Sequence, residues 1–216
     1  PARYSPRAIL CMLLQIMKTE HSAHCRDCKQ RVGEMLTAIY GECQVNRQFS
    51  WSARPEDYAN ASIAGSLRRI CAALGEWRGH RDFIKSALMP PCDFVISDPP
   101  FILEFDESQH FTRAREITLS LYPEAMSLGF SLPRWRELCR SIDARDDEPV
   151  DRDERRAWYD TLRDLVPAVH DFEPTIRLYA GEYPWCSLVA ASHTAVAQFS
   201  ALIGNRLPLS NHLKNN

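Results

Sequence analysis

The chain has 216 residues, 45% of them hydrophobic and 25% charged, and a formal net charge of −2. That length and balance fit one globular domain with a core of its own and exclude disordered and fibrous classes. A pI near 6.4 argues against a protein that coats nucleic acid non-specifically, yet leaves room for an enzyme with a local basic groove.

From the N-terminus, residues 6–19 (PRAILCMLLQIMKT) carry a broad apolar face and predict a well-buried helix. The stretch Ala8 to Met17, flanked by Arg7 and Lys18, is too short to span a bilayer, so no membrane partner is expected. A second helix is predicted from about Cys25 to Tyr40, where Val32, Met35, Leu36 and Ile39 recur at helical spacing and Gly41 stands ready to end it. His21, His24, Cys25 and Cys28 form H-x-x-H-C-x-x-C. Imidazoles and thiolates are zinc ligands, so these four are candidates for a structural Zn²⁺ site, with Cys43 or Cys186 able to join two of them. The competing reading is a helix–helix turn with small buried cysteines, because one helix face cannot wrap an ion. The eight scattered cysteines look like reduced core residues rather than a disulfide framework, and the protein reads as cytoplasmic.

Residues 42–51 (ECQVNRQFSW) alternate imperfectly and predict a strand. Residues 56–88 predict two helical segments, one through Ile63, Leu67, Ile70 and Leu74 and one through Phe83, Ile84 and Leu88, broken near Gly79 and closed by Pro90–Pro91. Residues 92–106 (CDFVISDPPFILEFD) predict two short strands around a turn at Ser97–Pro100. Helical pieces are expected at 112–122 and 133–142, then a helix through RRAWYDTLRDLV, a strand at TIRLYA, and a last helix with Val196, Phe199, Leu202 and Ile203.

The chemistry concentrates at Phe101–His110. In a strand, Ile102, Glu104 and Asp106 share one face and Phe101, Leu103 and Phe105 the other, with the two carboxylates about 6.6 Å apart at Cα. Neighbouring carboxylates repel unless a cation or proton lies between them, and Mg²⁺ or Mn²⁺ takes such oxygen ligands. A hairpin could bring Asp93 to the same place. The plain alternative is that acids alternating on an edge strand simply face solvent.

These residues resemble the PD-(D/E)XK nuclease superfamily, in its very-short-patch-repair endonuclease branch. Asp93–Phe94 is similar to the branch's aspartate–aromatic pair, and Glu104-Phe105-Asp106-Glu107-Ser108-Gln109-His110 to its E-x-D-G-x-x-H, with Glu107 where glycine is usual. QVNRQFSW resembles the preceding strand. DERRAWYDTLRDLV followed by TIRLYA resembles the later helix and strand, with Arg177 as the strand arginine. Where many members carry lysine, this chain has Asp106.

The resemblance implies an α/β fold with a restriction-endonuclease-like core, a central mixed sheet flanked by helices. It covers one nuclease-like domain over 1–216, with core segments about 25–51, 91–110 and 152–180 and helical insertions about 52–90 and 111–150. It implies a Mg²⁺- or Mn²⁺-dependent endonuclease that hydrolyses phosphodiester bonds, in DNA above all, in repair, restriction or defence. Asp93, Glu104 and Asp106 would bind the metal. His110 would shuttle a proton or meet the scissile phosphate, and Gln109 would support it. Arg113 and Arg115, just after His110, are the candidates for phosphate contact, and restriction-like enzymes often act as homodimers. Arg152, Arg155, Arg156 and Arg163, near Trp158 and Tyr159, are interleaved with acids, the usual look of a solvated, internally paired helix face. Two rivals are carried forward: a catalytically impaired nucleic-acid-binding module on the same fold, and a structural partner protein.

Overall fold

The computed structural model describes residues 26–207. The helix expected over 6–19 and the zinc candidates His21, His24 and Cys25 lie outside the described residues.

Helix α1 spans Arg26–Tyr40 and buries Cys28, Val32, Met35 and Leu36 along one stripe. Gly41, at φ +79°, takes the left-handed conformation that ends it, and its N–H reaches Thr37 O at 2.9 Å. Strand β1 is only Gln44–Arg47, shorter than the ten-residue stretch the alternation suggested. Asn46 sits at φ +53°, and beyond Arg47 the chain leaves the sheet to stack Phe49 on Trp51, with ring centroids 4.0 Å apart.

Helix α2, Ala64–Trp77, holds Leu67, Ile70 and Leu74 as expected. The second helix predicted around Phe83 is absent: this stretch is irregular. Phe83 is buried edge-on against Trp158, the backbone N–H groups of Lys85 and Ser86 donate to Tyr159 Oη, and Ser52 pairs with Leu88. Tertiary partners here take the backbone hydrogen bonds that a helix would have made internally.

Strands β2 (Cys92–Ser97) and β3 (Pro100–Asp106) form the expected hairpin. Helices α3 (Arg113–Ser120) and α4 (Leu132–Ile142) follow, started by Thr112 and Ser131, whose side chains accept from Arg115 N and Arg134 N. Helix α5 (Arg152–Leu165), strand β4 (Ile176–Tyr179) and helix α6 (His193–Gly204) complete the order.

The sheet runs β1-β2-β3-β4, antiparallel across the first two pairs and parallel between β3 and β4. A parallel step needs a crossover, and α3, α4 and α5 supply it. Their apolar sides pack with α2 against Val95 and Ile102. On the opposite face α1 and α6 cover Phe94, Ile96, Phe101, Leu103, Phe105, Ile176 and Leu178. The sheet is therefore buried on both faces at β3 and β4. By alternation Glu104, Asp106 and Arg177 point from those strands toward α5, not toward solvent.

Candidate active site

The β2–β3 register, with Phe94 opposite Leu103, puts Asp93 opposite Glu104 when continued by one residue. The two are stitched together: Asp93 N donates to Glu104 Oε1 at 3.1 Å and Phe105 N to Asp93 Oδ2 at 3.0 Å. Asp93 Oδ1 turns the other way and meets Lys29 Nζ of α1 at 2.5 Å. Lys29, 42% exposed, lines a groove of about 700 Å³ between α1 and β1, shared with Gln30, Val45, Asn46 and Phe94. Asp93 and Glu104 thus meet at the sheet end, and the cation on Asp93 is one that solvent can replace.

Glu104 is 3% exposed. Burial pushes its carboxyl up to about 8, against the pull of Arg163, and the neighbouring charge of Asp93 pushes the same way. Arg163 Nε stands 3.4 Å from Glu104 Oε2 but makes no hydrogen bond. The attraction is present without the alignment that would hold Glu104 ionised.

Asp106 is placed differently from the expectation. Its Oδ1 accepts from Arg177 at 2.6 Å and its Oδ2 from Trp135 Nε1 at 2.8 Å, and it is 1% exposed. It groups with His110 and Asp160, whose ligand atoms all lie within 4.8 Å of one another; among the described residues this is the one set of three that could hold a metal ion. A cation is already inside it. Arg177 binds Asp106, lies 3.6 Å from Asp160 Oδ1, and donates to Asp164 Oδ1 at 2.7 Å. His110 Nδ1 lies 2.9 Å from Asp160 Oδ2. Burial works to lower the imidazole's pKa, but the charges of Asp160 and Asp106 outweigh it, so the net direction is up. Burial alone would raise Asp160; His110 and Arg177 reverse that and hold it well below the usual carboxylate range. The Nδ1 contact fixes the ring against Asp160, and the side chain is 21% exposed.

Several expected roles need correction. Arg115 does not face a nucleic acid: it is 1% exposed, paired with Asp164 at 2.6 Å and bonded to Tyr122 Oη at 2.7 Å. Gln109 donates to Glu107 Oε2, while its backbone carbonyl accepts from Arg156, so its side chain is turned to its own loop. The charged face of α5 is not solvated. Asp153, Glu154, Asp160 and Asp164 are all buried, and Arg78, Arg115, Arg163 and Arg177 bring their charges to them from other elements or along the helix. The acids at β3 do not face solvent either, because α5 lies over them. Cys28 is buried in the core beneath α1. Arg113 remains exposed beside Glu116.

No family model matches the sequence, and neither curated proteins nor solved structures give a significant match. The site must speak through its own geometry.

Asp160, Asp164, Lys29, Trp135 and Tyr122 were not singled out from the sequence. Asp160 and Asp164 stand four apart on α5, hence on one face, and that spacing could have flagged them once Arg177 was noticed in the next strand. The Lys29–Asp93 pair joins residues 64 apart and leaves no local trace.

Proposed function

We propose that this chain is a divalent-metal-dependent nuclease, a hydrolase of phosphodiester bonds in DNA, built on a restriction-endonuclease-like core. The element order helix, strand, strand, strand, helix, strand, with α2 inserted before β2 and α3–α4 before α5, supports the core. The observation that carries the function is the stitched pair Asp93–Glu104. It joins two carboxyl groups across a hairpin, one with a replaceable ammonium, the other pushed up to about 8 by burial against the pull of Arg163. That donor set fits Mg²⁺ or Mn²⁺. Asp93 and Glu104 would hold the ion; when bound it supplies charge neutralisation for a phosphate and a more acidic water.

The remaining roles belong to the protein. Hydrolysis adds water across a P–O bond, so the water loses a proton and the leaving oxygen gains one. His110, held by Asp160, which favours its protonated form, would give that second proton, and the water's own proton would pass to solvent. Asp106, bonded by Arg177 and Trp135, would serve as the anchor that ties β3 to β4 and α4. Lys29, 42% exposed on Asp93, is the cation that a bound ion would displace, and its ammonium would then be available to a phosphate.

The test is cleavage of supercoiled plasmid and single-stranded DNA with Mg²⁺, Mn²⁺ or EDTA, beside Glu104→Ala. Metal-dependent cleavage that vanishes in Glu104→Ala supports the reading, and cleavage that persists there overturns it. One observation favours a second reading, a catalytically impaired binding module: Lys29, Arg163 and Arg177 already stand on Asp93, Glu104 and Asp106. DNA binding with no cleavage and no Mn²⁺ heat in calorimetry would decide for it.

A further inference from the structure

Away from the acidic centre, α3 and α4 bring three arginines onto one carboxylate. Arg113 from α3 and Arg136 and Arg140 from α4 all approach Glu116: Arg113 Nη1 bonds Oε2, Arg140 Nη1 lies 3.3 Å from Oε1, and Arg136 Nη2 lies 4.0 Å from Oε1. The arginine side chains are 59%, 56% and 38% exposed, while Glu116 is 9% exposed. The carboxylate is spent inward and the guanidiniums are offered outward. Arg136 Nε is buried with no hydrogen-bond partner, so the donors here outnumber what the protein supplies. Arg136 and Arg140 are also like charges four apart on one helix, and a single carboxylate, shared with Arg113, answers both.

We infer that Arg113, Arg136 and Arg140 form a docking face for the phosphate backbone of a nucleic acid. The guanidinium fork suits phosphate. The arginines sit on two exposed helix surfaces rather than in a pocket, which suits an extended polyanion better than a small anion. Position points the same way: Arg113 follows His110 by three residues, a Cα separation of at most about 11 Å, so a strand held on this face passes the candidate proton donor. The inference rests on the nuclease reading for the identity of the partner.

The experiment is fluorescence anisotropy with labelled single-stranded and duplex oligonucleotides, in EDTA, over a range of salt. It uses the full chain, an R113A/R136A/R140A variant, and R68A as a control on α2. Neutralising a phosphate contact contributes a slope of about −0.9 to log K against log salt on duplex. The triple variant is therefore expected to weaken binding at least tenfold and to flatten the slope by about 2 to 3, with R68A unchanged. R140A alone, the least intrusive change, should flatten it by about 1. An unchanged affinity and slope in both arginine variants, or displacement of the oligonucleotide by millimolar inorganic phosphate, overturns the inference. Failure of the two readings can be told apart. Arginine-dependent binding without any cleavage leaves this face standing and removes the nuclease reading; metal- and Glu104-dependent cleavage without arginine-dependent binding does the reverse.

Discussion

Glu104 shows how burial writes a pH dependence into one residue. Its carboxyl is raised from an ordinary 4.5 to about 8 by desolvation, opposed by Arg163. Between those values the folded chain keeps a proton that the unfolded chain has lost. Stability contributed by this group therefore falls as pH rises through the window and levels off above about 8. Glu104→Gln, which mimics the protonated form, is expected to melt close to the parent near pH 4.5 and several degrees above it by pH 8, read by thermal melts in EDTA. A difference that stays flat with pH would show that Glu104 is ionised in the folded protein. His110 is shifted up too, so its pair with Asp160 is at full strength below the unfolded histidine value of about 6.5 and is lost as pH passes the raised folded value; the comparison with Gln removes this shared background. Arg177 carries the opposite kind of burden. It is 0% exposed and touches Asp106, Asp160 and Asp164. Arg177→Met would leave buried carboxylates uncompensated and should cost about 3–5 kcal/mol in urea unfolding; a loss under about 1 kcal/mol would mean that those acids are protonated or hydrated instead.

At the scale of elements, the outer edge of β4 is closed by a single small residue. Gly129, in the segment before α4, bridges to Ile176, and a Cβ placed there would lie 2.6 Å from Thr175 O. That neighbour is backbone and cannot swing aside. Gly129→Ala is expected to push the segment off the strand, lowering stability by about 2 kcal/mol or more and raising amide exchange in 174–179; wild-type exchange in the variant would refute this. The same scale shows why part of the fold was legible and part was not. The strands at 92–97 and 100–106, and the helices holding Ile70, Leu138 and Leu162, announce themselves because their apolar spacing matches the surfaces they bury. Phe83 and Leu88 share such spacing but are held irregularly by Trp158, Tyr159 and Ser52, partners that no local pattern reveals. At the site, Asp93, Glu104 and Asp106 stood out as acids on paired strands. Which donors Asp93 and Asp106 met depended on Arg177, Trp135 and Lys29, all distant in sequence. For α5 the interleaved charges matched the pattern of a solvated helix, yet the helix is buried, because arginines from elsewhere neutralise it.

For the molecule as a whole, the candidate metal site lies where two layers meet. Asp93 reaches across the sheet end, with Lys29 on the α1 side and Glu104 on the α5 side, so an ion bound there would tie both layers together and be felt as global stability. A ligand that binds only the folded chain stabilises it by RT ln(1 + [L]/Kd), about 2.7 kcal/mol at a hundredfold excess over Kd. To bind there, Mn²⁺ would have to displace the proton of Glu104 and the ammonium of Lys29. Two consequences follow that can be measured together. Affinity should rise roughly tenfold per pH unit as pH climbs toward about 8 and then flatten, since one proton leaves for each ion bound. Lys29→Met, which removes the competing cation without touching a carboxylate, should tighten Mn²⁺ and enlarge its effect on Tm, while Glu104→Gln should abolish both. Calorimetry at pH 6, 7 and 8 with the three proteins would decide. If affinity does not depend on pH and is the same in Lys29→Met, the ion is bound elsewhere; the Asp106–His110–Asp160 group then becomes the place to look, with Arg177 as the cation that would have to move.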